Sequence, residues 1–226
     1  MIECRHQEFM SRLACVSSVD VAQDESGVPS GDAHPDGRRA RRDRNREAVV
    51  DAYLDLVNEG HLEPSVAEVA ERSGVSHRSV FRYFSDRESL VQAGIQCQIR
   101  RVEPLLALPV TADMPLDERI AGFARQRVTM LERISPVARL TRLRVNQSEQ
   151  LAAIVDQART FFRNQAKQLF QPELDALDAD AASDVLATID VLTSFETFDL
   201  LARAQQMPHD RVERIFRRSI TAVLVR

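Results

Sequence analysis

The chain has 226 residues, a formal net charge of −4, 28% charged and 44% hydrophobic residues, seven glycines and no tryptophan. This is enough chain for one or two domains with a buried core, and the scarcity of Gly and of β-branched runs suits an all-helical protein. No apolar run approaches the ~20 residues that span a bilayer, the N-terminus lacks the basic-then-apolar order of a secretory signal, and Cys4, Cys15 and Cys97 are scattered and odd in number, which argues against a disulfide framework or zinc site and for a reducing cytoplasm.

Residues 1–37 show no sustained period, and the stretch ends in SGVPSGDAHPDG, rich in Gly, Pro, Ser and Asp. We expect a disordered tail there. Met10 is an alternative start, and a native start further in is equally open. A basic arm follows: Arg38, Arg39, Arg41, Arg42, Arg44 and Arg46 are opposed locally only by Asp43. An acidic total with one basic arm is compatible with nucleic-acid binding by a single face, although an arginine run is also what a solvated tail looks like. The first helix is predicted over 41–59, with Val49, Tyr53 and Val57 on its apolar face and Gly60 at its end.

The stretch 65–84, SVAEVAERSGVSHRSVFRYF, reads as two short helices joined by a tight turn. Ser65 is placed to cap a helix, with Glu68 three residues on to complete a capping box. Val66, Val69 and Ala70 recur on one face. Gly74 falls where that helix must end in a left-handed conformation. Val75 is an apolar plug, Ser76 caps the second helix, and Val80 and Phe84 form its inner face. A small residue, a turn glycine four positions later and a buried branched residue six after that are what a DNA-binding helix-turn-helix requires. A plain helical hairpin shares part of this pattern.

A second capping box, Ser85-Asp86-Arg87-Glu88, opens a fourth helix reaching Val102, and Pro104 stops or bends it. Further helices are predicted over 116–134, over 136–145 with Pro136 in the first turn, and over 150–170; QPELDALDADAASD reads as a connection. Val185, Ile189, Leu192, Phe195 and Phe198 then recur at three- and four-residue intervals in one long helix, and Val212, Ile215 and Phe216 repeat the pattern after Pro208. Two such faces joined by a short turn are best buried by a second copy in a four-helix bundle, so these eight residues are the expected homodimer interface; packing within one subunit is the other option.

The order long helix, short helix, turn, short helix, capped long helix resembles the DNA-binding domain of the tetracycline-repressor (TetR) family of bacterial regulators. The resemblance rests on VAEVAERSGVSHRSVFRYFSDRESL, Val66 to Leu90, with the aromatic pair ending the second helix and the S-x-[Arg/Lys]-E-x-L start of the next. It covers about Arg41 to Gln98. The C-terminal TSFETFDLLARAQQMPHDRVERIFRRSI also looks like the helix pair through which that family dimerises. The expected architecture is all-α with about nine helices: a tail over 1–37, a three-helix DNA-binding domain over 38–85, and a helical ligand-binding and dimerisation domain over 86–226.

If the second short helix enters a major groove, Ser76, His77, Arg78, Ser79, Phe81, Arg82 and Tyr83 lie on or beside the duplex. Arg is the commonest bidentate reader of guanine, and Arg78 is near the N-terminal end that meets base edges. His77 and Arg82 are base or phosphate contacts, and Tyr83 offers a hydroxyl to phosphate. At Phe81 the family commonly has a phosphate-binding tyrosine; the Phe here packs against sugar or a thymine methyl, or is buried. The helix N-terminus at Ser65 suits one phosphate. Arg87 matches a family lysine that clamps phosphate, and Arg42 and Arg44 add backbone contacts.

The resemblance also implies a palindromic operator on double-stranded DNA, a homodimer, and a small-molecule effector whose binding tilts the fourth helix. The candidate pocket residues are Phe123, Arg127, Met130, Phe161, Phe162 and Phe195; the aromatics and Met suit an apolar ligand, with Arg127 meeting an acidic or polar end, and each residue also fits plain core packing. Repression by blocking polymerase is the family default. An enzyme has little support: the five histidines share no metal-ligand spacing, and there is neither a phosphate-binding glycine loop nor a nucleophile elbow. No cofactor or metal is expected. The rival reading is a helical interaction protein whose helix-turn-helix does not bind DNA.

Overall fold

The computed structural model describes residues 35–225. The early part of the expected tail lies outside them. The described residues contain ten α-helices and divide into two compact units, residues 35–101 and 102–225.

In the first unit, α1 spans Pro35–Asn58, α2 Val66–Ser73, α3 His77–Tyr83 and α4 Arg87–Val102. α1 starts six residues before the expected Arg41, so residues 35–37 are helix, not tail, and the basic arm is helical. Proline suits a first helical turn because its missing N–H would have no partner there, and Arg and Ala favour helix thereafter. Val49, Tyr53, Leu54 and Val57 are buried on one side of α1. At Gly60 the chain takes φ +99°. α4 crosses α1 closely: a Cβ on Gly94 would sit 2.7 Å from the Tyr53 ring, so only glycine fits without displacing that ring. The cap of α4 is one residue later than read from the sequence. Asp86 Oδ1 accepts from Ser89 N at 2.7 Å, and Ser89 Oγ lies 3.4 Å from Asp86 N, so Asp86 and Ser89 do what was assigned to Ser85 and Glu88. This unit runs on to Arg101, past the 85/86 boundary.

In the second unit, a 3₁₀ turn at Glu103–Leu105 precedes α5 (Leu116–Arg144), and a 3₁₀ turn at Val145–Gln147 leads to α6 (Glu149–Leu169). α7 (Gln171–Leu174), α8 (Ala179–Leu192) and α9 (Phe195–Asp199) follow, then a π turn over Leu200–Ala204 and α10 (His209–Leu224). Phe123, Phe170, Val185, Ile189 and Ile220 centre one core cluster, and Met130, Leu131, Phe198, Val212 and Phe216 another.

Three expectations need correcting. Pro136 does not start a helix but sits inside the continuous α5. It removes one backbone hydrogen bond, to the carbonyl of Glu132, on the exposed side of the helix, while Leu131, Ser135 and Val137 stay buried. The long C-terminal helix is broken at Thr193 and Ser194: Thr193 Oγ1 turns back to Ile189 O at 2.8 Å, and Ser194 Oγ caps α9 through Thr197 N at 3.2 Å. Part of the supposed connection is helical, as α7 and as the start of α8, which Asp178 caps through Ala181 N at 2.8 Å.

Candidate nucleic-acid interface

The helix-turn-helix is built by local hydrogen bonds. Ser65 Oγ accepts from Glu68 N at 3.2 Å while Glu68 Oε2 accepts from Ser65 N at 2.7 Å, completing the capping box. The Ser65 hydrogen bond is the largest of the influences holding the Glu68 carboxyl below its ordinary value. Ser65 hydroxyl also lies 2.7 Å from the same carboxylate. Glu68 therefore takes both donors Ser65 would offer a phosphate and places an anion beside them, so a phosphate at this end must use the Val66 and Ala67 N–H groups. Gly74 ends α2 at φ +67°, where a side chain costs about 1–2 kcal/mol. Gly74→Ala is expected to lower the stability of this unit by about that much, measured by urea unfolding; an unchanged midpoint would contradict the turn assignment.

Across the turn, Val75 is buried and Ser76 caps α3, accepting from Ser79 N at 3.3 Å; the two hydroxyls are 3.0 Å apart. Ser76 and Ser79 thus serve each other first. Val80 and Phe84 are buried, and His77, Arg78, Phe81 and Arg82 are exposed. Phe81 is 50% exposed, which decides against a buried role, and its ring stands edge-on to His77 at 4.9 Å. Arg78 has no ion pair among the described residues, so its guanidinium is available.

Tyr83 is half-buried. Its hydroxyl lies 3.4 Å from Asn45 Nδ2 and 3.5 Å from Arg82 Nη2, and the Arg82 guanidinium is 5.4 Å from the ring centre. These contacts, Asn45 first, hold the phenol below its ordinary pKa, with a further influence from Arg42. Arg42, Asn45, Arg82 and Tyr83 are thereby brought together, joining α1 to α3. Asn45 was not singled out from the sequence. The signal available was its position one turn beyond Arg42 on α1. Arg44 is exposed, and Arg46 lies over the Phe84 ring at 5.1 Å. Arg87 opens α4 with its Nη2 4.0 Å from Glu63 Oε1 and its buried Nε without a partner, so most of its donor capacity is unused.

In the second unit, the residues expected in an effector pocket do come together. Arg127 lies between the rings of Phe123 and Phe162, at 4.7 and 4.5 Å. Met130, Phe161, Phe162 and Phe195 share one cluster. The expected dimer interface is corrected. Val185, Ile189, Phe195, Phe198, Val212 and Phe216 are buried in the chain's own core, so they cannot face a second copy. The apolar stripe reported a buried face truly, but its cover comes from α5 and α6. Only Leu192 and Ile215 of the eight keep partial exposure.

Residues 58–93 match the family model described as "Bacterial regulatory proteins, tetR family". The chain carries a tetR-family DNA-binding domain. The match takes in α2, the turn, α3 and the first part of α4. HTH-type transcriptional regulators named BetI from Yersinia pestis (strain Pestoides F) and Yersinia pseudotuberculosis serotype O:1b (strain IP 31758) are each 36% identical over 58 residues, 25% of this chain. The matched stretch spans 29% of those relatives' length. The fold likeness reaches further than this tetR-family domain. A tetR-family transcriptional regulator from Streptomyces coelicolor superposes with a TM-score of 0.62 at 20% identity, covering 80% of each chain. A transcriptional regulator from Rhodococcus sp. Rha1 gives a TM-score of 0.59 at 18% identity, covering 79% of this chain and 95% of that one. No helix among the described residues is long and apolar enough to cross a membrane.

Proposed function

We propose that the protein is a cytoplasmic, ligand-responsive repressor that binds a palindromic operator as a homodimer through α3. The observation that carries this reading is the exposed row His77, Arg78, Phe81 and Arg82 on a helix whose inner residues Val80 and Phe84 are locked in the core. A rigid helix with an unpaired arginine near its N-terminus suits bidentate reading of guanine. Arg42, Arg44, Tyr83 and Arg87 grip phosphates and set register; Arg78, with His77 and Arg82, reads sequence.

Dimerisation is assigned to the outward faces of the last helices. Val191, Leu200 and Val225 are large apolar residues more than half exposed, and Leu192 of α8 and Ile215 of α10 are partly exposed. Two-fold pairing makes the operator an inverted repeat with half-sites about 34–36 Å apart. An effector bound among the residues around Arg127 acts on DNA affinity through α4, the helix that leads from the first unit into the second.

Selection of bound duplex from a random pool tests the reading: an enriched inverted repeat is expected, and no enrichment over the input would overturn it. Arg87→Ala is expected to weaken binding to selected and random DNA alike and to reduce the slope of log affinity against log salt by ~2 for a dimer, one phosphate per protomer. A changed base preference at an unchanged slope would contradict the phosphate role.

A further inference from the structure

Arg127 is 2% exposed in the middle of α5. Its Nη2 is 3.4 Å from the carbonyl oxygen of Phe162, a long contact, and its Nε is buried without a hydrogen-bond partner. Aromatic faces cover it on two sides. The acidic groups of the neighbouring helices are engaged elsewhere. Asp190 of α8 pairs with Arg163 at 3.6 Å. Glu196 of α9 takes Arg142 and Arg159 at 2.8 and 3.1 Å, and Asp199 takes Arg139 and Arg203 at 2.8 and 3.3 Å. Among the described residues no carboxylate lies within ion-pair distance of Arg127.

A buried guanidinium has five donors to satisfy, and a buried charge without a counter-ion is costly unless paired. A hydrocarbon side chain would fill the same space without that cost. Burial draws the Arg127 pKa down to about 9, opposed by the charge of Asp190, so the group is still a cation at neutral pH. Two acceptors on the same two helices, α5 and α6, are also unused. Gln126 and Gln165 donate to the consecutive carbonyls of Leu105 and Leu106, at 2.5 and 2.6 Å, and each leaves its Oε1 buried without a donor. The seam between α5 and α6 thus holds an unpaired cation and unpaired acceptors under an apolar cover, of which Phe161 and Phe162 are half-buried.

We propose that Arg127 is the anchor for an amphiphilic organic acid, whose carboxylate forms a two-pronged ion pair with the guanidinium while its apolar body lies among Met130, Phe161, Phe162 and Phe195. The inference rests on the reading of this region as the effector site and names the chemical class of the effector. Hydroxyl or N–H groups on the ligand meet Gln126 and Gln165. Phe162 must swing aside for the acid to enter, and its partial exposure gives it room to do so. Charge-assisted pairing with a planar guanidinium favours carboxylate over any neutral isostere.

The test is calorimetric titration of the full chain with decanoate, phenylacetate and 1-naphthylacetate, each against its primary amide. At least one acid is expected to bind, its amide ~10-fold or more weaker, a difference of about 1.4 kcal/mol. Arg127→Gln is expected to abolish the preference for acid over amide, and Arg127→Lys to keep part of it. Ligand-free Arg127→Met is expected to melt above the wild type, since it removes an unpaired buried charge; a lower melting temperature would mark Arg127 as a structural group and overturn the proposal. So would no binding by any of the acids, equal affinity for acid and amide, or undiminished acid binding by Arg127→Gln. The duplex selected from the random pool separates this from the regulatory reading. A protein that discriminates acid from amide through Arg127 yet ignores DNA keeps the anion site and loses the regulator; one that binds operator but no acid does the reverse.

Discussion

Replacing both Arg78 and Arg82 with Glu is expected to reduce affinity for the selected operator by more than ~100-fold while leaving the protein folded. Each arginine that reads a base is worth ~1–3 kcal/mol, and each Glu adds repulsion from phosphates. The cost to folding is small because both side chains are exposed, and such surface changes stay within about ±0.5 kcal/mol. The helix dipole works in opposite senses at the two sites. A Glu at 78, in the first turn of α3, is favoured, and a Glu at 82, in its last turn, is disfavoured, by about 0.3–1 kcal/mol each. Circular dichroism should show unchanged helix content, and fluorescence anisotropy with labelled operator should show the loss. A folded double variant that still binds operator would remove α3 from the interface.

Arg119→Ala is expected to destabilise the second unit by ~3 kcal/mol, the low end of the cost of breaking a buried ion pair from one side, because Glu173 is only half-buried. Arg119 is 4% exposed. It donates to Met114 O at 2.8 Å, to Leu169 O at 2.8 Å and to both oxygens of Glu173, one at 2.9 Å. It therefore ties the start of α5 to the C-terminus of α6, where a cation also suits the helix dipole, and to α7. Removing it strands the Glu173 carboxylate and two carbonyls.

The Arg119 hydrogen bond holds the Glu173 carboxyl below its ordinary value of 4.5. A group whose pKa is depressed on folding contributes stability that is fully present above the unfolded value and lost as the pH falls through the folded value. The difference between wild type and Arg119→Ala in urea unfolding should accordingly be largest near neutral pH and shrink below pH 4.5. A difference that grows on acidification would contradict the pairing.

The helix-turn-helix was legible because its determinants are local. Ser65 with Glu68, the left-handed Gly74 and the inward Val80 and Phe84 all lie within one contiguous stretch, and each does in the structure what its chemistry suggested. Contacts between distant residues were not legible. Asn45 meets Tyr83 across 38 positions and Arg119 meets Glu173 across 54, and nothing in either neighbourhood announces the other. Arg127 was picked out as a polar group among aromatics, but its lack of a counter-ion depends on which arginines claim Asp190, Glu196 and Asp199. The stripe from Val185 to Phe198 shows why periodicity does not name a partner: it identifies an apolar face, and α5 and α6 cover that face as well as a second copy would. Pro136 and the Thr193–Ser194 break fail in opposite directions. A proline can sit inside a helix when tertiary packing of its neighbours holds the helix together, and two hydroxyl residues can end one when each finds a backbone partner.

The role proposed for α3 is to read DNA sequence. Its most direct test is the affinity of the full-length wild-type chain, at fixed salt near 0.15 M, for the duplex selected from a random pool and for a scrambled duplex of the same length and composition. A preference of ~10³-fold or more is expected for a specific regulator. Equal affinity for the two duplexes would contradict it.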